Sequence, residues 1–150
     1  MSQENVAALR KVYEAMARGD FWAAGDVFDA EIEWEWSPGG TGLTGGNVYR
    51  GIDGVEAATR DWFEVWDWFW QEAEEYIEVG DTVVVLARMH GRPKGSQEEI
   101  ASQGASVWTF RDGKAIRFKG YDTPADALEA VGLSARHHAA RRGSQREGGQ

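Results

Sequence analysis

The nine residues from Trp62 to Trp70, WFEVWDWFW, hold four tryptophans and two phenylalanines. Three more tryptophans, Trp34, Trp36 and Trp108, stand in segments that read as strands. A buried Trp takes about 150–250 Å² out of water. At ~25 cal/mol per Å² that is roughly 4–6 kcal/mol per ring against an extended-chain reference. At 150 residues the chain is one ordinary domain, too small for so many rings all to interdigitate in its core. Some of them are expected to wall a cavity that contains a flat, apolar small molecule.

Composition narrows the remaining classes. Hydrophobic residues at 42% and charged residues at 27% are globular values that argue against wholesale disorder. No apolar run reaches the roughly eighteen residues of a membrane span. The opening MSQENVAALRK has no apolar core of a signal peptide. With no cysteine there is neither a disulfide framework nor a thiolate metal ligand, and a cytoplasmic location is the default expectation. Charge is uneven. The last seventeen residues carry Arg136, Arg141, Arg142 and Arg146 against Glu147. Setting those aside leaves 12 basic and 24 acidic groups, a net charge of −12 on the body. Such a body repels phosphate backbones, so nucleic acid is not expected as a partner. Residues 134–150 read as a disordered basic tail behind a single domain over 1–133.

Periodicity supplies the elements. Val6, Leu9, Tyr13 and Met16 are spaced for a helix over 4–18, with Gly19 at its C-terminal stop and Asp20 starting a second helix over roughly 20–29. EIEWEW at 31–36 alternates, with Ile32, Trp34 and Trp36 on one face and three glutamates on the other. The glycine-rich stretch 37–46 reads as a loop and a candidate lid. Asp53 and Glu56 resemble a capping box for a long third helix. Its buried stripe would be Val55, Ala58, Trp62, Val65, Trp66 and Phe69, with Trp68 on the polar side as a partner surface. Gly80-Asp81 and Asp112-Gly113 mark two hairpins joining four antiparallel strands. Thr123, Pro124 and Asp126 open a short closing helix that ends at Gly132. The expected class is α+β: a curved mixed sheet packed against three helices of the N-terminal half, with a short C-terminal helix.

Order and punctuation together resemble the SnoaL-like branch of a cone-shaped superfamily. That superfamily is shared by nuclear transport factor 2, ketosteroid isomerases, polyketide cyclases and limonene epoxide hydrolases. The matching segments are YEAMARGD, YRGIDGV, GDTVVVLARMHGR, VWTFRDGKAIRFKGY and DALEAVGL, which cover residues 4 to 133. The resemblance implies a sheet rolled into a cone, a pocket inside it, and a homodimer through the outer sheet face. It carries catalytic groups over poorly. The isomerases' carboxylate base falls on Trp34, their helix-one tyrosine near Val12 beside Tyr13, and their second donor near Ser106. The epoxide hydrolases' Arg and Asp fall on Ala87 and Met89, and the last-strand aspartate near Gly120. Every acid, base or cation has become apolar or small, while a register slip of one residue would offer Arg88 and His90. The wholly apolar set Val83, Val85, Ala87, Met89 favours the unslipped register, with Arg88 and His90 on the outer face.

Three functions follow as alternatives. The first is a small-molecule-binding protein with an aromatic pocket for a polycyclic or terpenoid-like ligand. Its expected lining is Trp34, Trp36, Tyr49, Trp62, Trp66, Met89, Gln103, Trp108 and Tyr121. The second is a cyclase, isomerase or dehydratase acting on a cyclic ketone, with His90 as base and Tyr13 and Ser106 as donors. The third is a dimeric protein-binding adaptor. Arg50 is expected to pair with an acidic neighbour. The adjacent His137 and His138 do not converge on one centre, and no metal set, phosphate loop or nucleophilic triad is present in the sequence. No cofactor is expected.

Overall fold

The computed structural model describes residues 2–36 and 48–133. Helix α1 (Ser2–Ala17) leads through a 3₁₀ segment, Phe21–Val27, into β1 (Phe28–Trp36). Strand β2 (Val48–Arg50) abuts α2 (Gly51–Glu64), and β3 (Trp66–Val79), β4 (Thr82–Pro93), β5 (Ile100–Arg111) and β6 (Lys114–Tyr121) follow. Helix α3 (Pro124–Ala130) closes the described chain. The six strands form one curved, unclosed sheet in the order β2-β1-β6-β5-β4-β3. Only the β1–β6 pair is parallel, so the sheet is mixed and the class is α+β.

Helix α1 stops where the sequence says. Gly19 has φ +76°, Asp20 N–H donates to Ala15 O at 2.8 Å, and Gly19 N–H donates to Met16 O at 3.0 Å. This left-handed cap satisfies the last carbonyls. Asp112 and Gly113 both take positive φ, 54° and 81°, the turn whose twist matches an antiparallel pair. Thr123 Oγ1 accepts from Asp126 N–H at 3.2 Å and starts α3. The expected helix over 20–29 is shorter than its periodicity suggested: it ends at Val27, and Phe28 already belongs to β1.

The tryptophan run departs further from expectation. The helix ends at Glu64, and Trp66, Trp68, Phe69 and Trp70 belong to a 14-residue strand. The segment carried two periodicities, a helical stripe through Trp62, Trp66 and Phe69 and an alternation through Trp66, Trp68 and Trp70. Aromatic and β-branched side chains suit a pleated surface, and β3 pairs with β4 along nearly all its length, from Trp66↔Pro93 to Val79↔Thr82. The helix itself begins at Gly51, two residues before Asp53. Asp53 therefore sits in the first turn, where its charge favours the helix N-terminus, and the N-cap Arg50 makes no side-chain capping bond.

The sheet's two faces have different partners. Its inner face puts Ile32, Trp34, Val83, Val85, Trp108 and Phe118 against Leu9, Val12 and Tyr13 of α1 and Val55 of α2, forming the main core. On the outer face Ile77, Val84, Leu86 and Ala105 are covered by Ala127 and Leu128 of α3. Val83, Val85 and Ala87 are buried, while Arg88 is exposed and pairs with Glu74 at 3.2 Å. The unslipped register is the observed one.

Candidate functional site

Helix α1 and strand β5 bring three polar groups together inside the main core. Ser106 and Trp108, two residues apart on β5, share the inner face, and Tyr13 meets them from α1. Tyr13 Oη lies 2.9 Å from Ser106 Oγ, and Trp108 Nε1–H points at both oxygens, 3.0 Å to Ser106 and 3.2 Å to Tyr13. Trp108 is wholly buried, and Tyr13 and Ser106 are 7% and 6% exposed. The protons can be counted. The indole N–H is shared between two oxygens, and one hydroxyl donates to the other. The second hydroxyl proton is then left without an acceptor among the described residues. Burial pushes the Tyr13 phenol up to about 12, against the opposing pull of its bonds to Ser106 and Trp108. At neutral pH the Tyr13 phenol therefore keeps its proton.

Around it the packing is aromatic. Trp34 stacks on Phe118 at 4.0 Å between ring centres and meets Trp108 edge-on at 5.5 Å. Phe28 lies parallel to Trp108 at 6.2 Å. Trp34 and Trp108 thus touch each other instead of standing apart across an open space. Toward the other end of the inner face the side chains become small: Ala87 pairs with Gly104, and Ser106 with Gly120. A Cβ on Gly104 would collide with Met89 Cε, so the methionine tip lies across this floor. Among the described residues only Asn5 and Ser106 are buried polar or charged side chains, and no carboxylate or imidazole is buried.

The other expected site residues are dispersed. Trp62 and Trp66 form a second aromatic cluster with Phe69, at 5.1 to 5.6 Å. Tyr49 donates to Asp61 Oδ2 at 2.8 Å and so ties β2 to α2. Gln103 is exposed on the outer face and donates to Glu74 at 3.3 Å. Tyr121 packs toward α3, with the Lys119 ammonium 5.3 Å from its ring. His90 is also outside, its ring 5.2 Å from that of Trp70. It lines an open groove of about 620 Å³ with Arg88, Glu74 and Gln103. The sheet separates it from Tyr13 and Ser106. Trp36 ends β1 opposite Gly120, but its side chain, the expected lid at 37–46 and the tail lie outside the described residues. Arg50 pairs with Glu33, as expected. Sequence reading offered Tyr13 and Ser106 as donors and Trp108 as pocket lining, and missed the direct contact of the three. The i, i+2 spacing of Ser106 and Trp108 was the available signal. Gly104 inside a strand was the signal for the small-residue floor.

The arrangement of helices on the inner face of a curved mixed sheet is matched in sequence as well as shape. Residues 9–118 match the SnoaL-like domain. This chain belongs to the SnoaL-like family. Among solved structures it resembles TerC co-crystallised with polyporic acid, at 22% identity and a TM-score of 0.72 over 85% of this chain and 98% of that one. A provisionally named SnoaL-like polyketide cyclase from Jannaschia sp. CCS1 is 17% identical, with a TM-score of 0.67 over 87% and 92%. A protein of ketosteroid isomerase-like fold from Catenulispora acidiphila, in complex with trimethylamine, is also 17% identical, with a TM-score of 0.62 over 91% and 98%. At these identities the SnoaL-like likeness is one of fold. Among curated proteins none matches the chain. No described helix is long and apolar enough to cross a membrane.

Proposed function

We propose that this SnoaL-like protein binds a small, flat, largely apolar molecule on the inner face of its sheet. The ligand is of polycyclic or terpenoid-like shape, and a carbonyl or hydroxyl oxygen accepts the spare hydroxyl proton of the Tyr13–Ser106 pair. That surplus donor is the observation that carries the reading. A buried donor without an acceptor costs about 1–3 kcal/mol, and a ligand oxygen relieves it. The floor of Ala87, Gly104 and Gly120 gives the ligand room once Met89 swings aside. Methionine, unbranched and flexible, is suited to that movement. TerC, which shares the fold, was co-crystallised with polyporic acid, and this supports a small organic ligand here.

Binding is favoured over turnover because the cluster offers a donor proton and, among the described residues, no carboxylate or imidazole is buried beside it. Enolisation of a cyclic ketone needs a positioned base, and His90, the base the sequence suggested, stands on the other face of the sheet. The test is titration calorimetry with 9-fluorenone and with fluorene, which has the same outline without the oxygen. The ketone is expected to bind about tenfold tighter, the scale of one net hydrogen bond. Ser106→Ala and Tyr13→Phe together should erase that preference. Equal affinity for the two probes, or a preference surviving both substitutions, would refute the reading.

We also infer a homodimer through the outer sheet face, where Trp68 and Trp70 are 38% and 42% exposed on neighbouring outward positions of β3. Aromatic side chains are enriched at such interfaces.

A further inference from the structure

The second aromatic cluster holds a donor of its own. Trp66 is 5% exposed, and its buried Nε1–H meets no acceptor among the described residues. Few native polar groups are left in that condition, and each calls for an explanation. The ring is held in a defined place. A Cβ on Gly91 would lie 2.6 Å from both Cε3 and Cζ3 of Trp66, so the benzo edge rests on the bare backbone of β4. In an indole the edge that carries Nε1 lies across the ring from those two carbons. The N–H is thus turned away from Gly91.

The rim of this cluster is open and apolar. Phe63, the residue after Trp62, is 50% exposed, and its ring centre lies 6.0 Å from that of Phe69. Phe69, Gly91 and Ile100 are consecutive register partners across β3, β4 and β5, so Phe69 and Ile100 flank the glycine on one face. Ile100 is 42% exposed. Two exposed apolar side chains therefore border three rings in tilted and edge-on contact, with an unused hydrogen-bond donor among them. From Gly91 to Val85, the partner of Ser106, is six residues of strand, about 20 Å at the usual rise. The two donors belong to separate places.

We propose that Trp62, Trp66 and Phe69, rimmed by Phe63 and Ile100, form a second binding site for a flat apolar molecule whose acceptor oxygen takes the Trp66 Nε1–H. The rings supply sequence-defined stacking surfaces, and the indole selects for an acceptor. This site does not depend on the Tyr13–Ser106 reading and survives its failure.

The test uses the intact chain, labelled with ¹⁵N on its indoles, and two probes: 2-acetonaphthone and 2-isopropenylnaphthalene, which replaces the carbonyl oxygen with CH₂. The Trp66 indole signal is identified by its loss in Trp66→Phe. Acetonaphthone is expected to move that signal downfield and to bind about tenfold tighter than the alkene. Trp66→Phe should abolish the tenfold preference. Phe63→Ser, at an exposed position that the fold tolerates, should weaken both probes alike. The proposal is overturned if both probes bind wild type equally or not at all, or if the Trp66 signal stays in place. It is likewise overturned if Ser106→Ala removes the preference while Trp66→Phe keeps it, because the probe would then sit in the inner cluster.

Discussion

Tyr13 gains its importance from where α1 presents it, facing Ser106 and Trp108 in a core where, among the described residues, no charged side chain is buried. Its phenol holds its proton up to about 12 in the folded state, against 10.0 for the ordinary group, because burial disfavours the phenolate. Between those values the folded state binds more protons than the unfolded chain, so stability falls as pH rises. The contribution is fully present below pH 10 and lost through about pH 12, roughly 2–3 kcal/mol in all. Denaturant unfolding of wild type and Tyr13→Phe across pH 9–12 measures it, and the variant is expected to lack that part of the slope. Gly104 offers a second residue-scale test. Gly104→Ala meets the far end of a flexible Met89 side chain, so its stability cost is expected near 1 kcal/mol or below. The same change occupies the floor and should weaken 9-fluorenone binding severalfold. Individual members of the inner cluster were legible in the sequence, since hydroxyl and indole groups on candidate inward positions can be named there. Their contact was not, because it depends on how α1 rotates over β5, and no local spacing encodes that.

At the scale of elements, the hairpins, the Gly19 and Thr123 caps and the burial parity of β4 were legible because each is set within a few residues, whereas the capping box expected at Asp53 is not made. Asp112-Gly113, Gly19 and Thr123 all perform the roles their chemistry assigns. The strand after Glu64 was not legible. Trp66 to Trp70 satisfied helical and strand periods at once, and only the pairing of β3 with β4, a long-range fact, selects between them. Gly91 records that pairing. A Cβ there would meet the Trp66 ring at 2.6 Å and Trp68 O at 3.1 Å, a rigid ring and a backbone atom rather than a flexible tip. Gly91→Ala is therefore expected to cost about 1–3 kcal/mol, clearly more than Gly104→Ala, as measured by the shift in denaturation midpoint at constant m-value. Thr123→Ala should cost about 1 kcal/mol through loss of the α3 cap, which helps cover Ile77, Val84, Leu86 and Ala105.

For the whole molecule, the sheet divides the chemistry. Hydroxyl donors and rings face inward, while His90, Arg88, Glu74 and Gln103 stand outside with Trp68 and Trp70. A homodimer across that outer face is expected to sediment at twice the chain mass, and Trp70→Glu should convert it to monomer without loss of secondary structure. A monomeric wild type would remove the dimer and leave the binding site untouched. The inner face is tested most directly by a crystal structure of the protein grown with 9-fluorenone. The ketone oxygen is expected 2.6–3.2 Å, in the usual hydrogen-bond range, from Tyr13 Oη or Ser106 Oγ, with the Met89 tip displaced from Gly104. Crystals that show Met89 in place over Gly104 and the inner face without fluorenone would contradict the central claim.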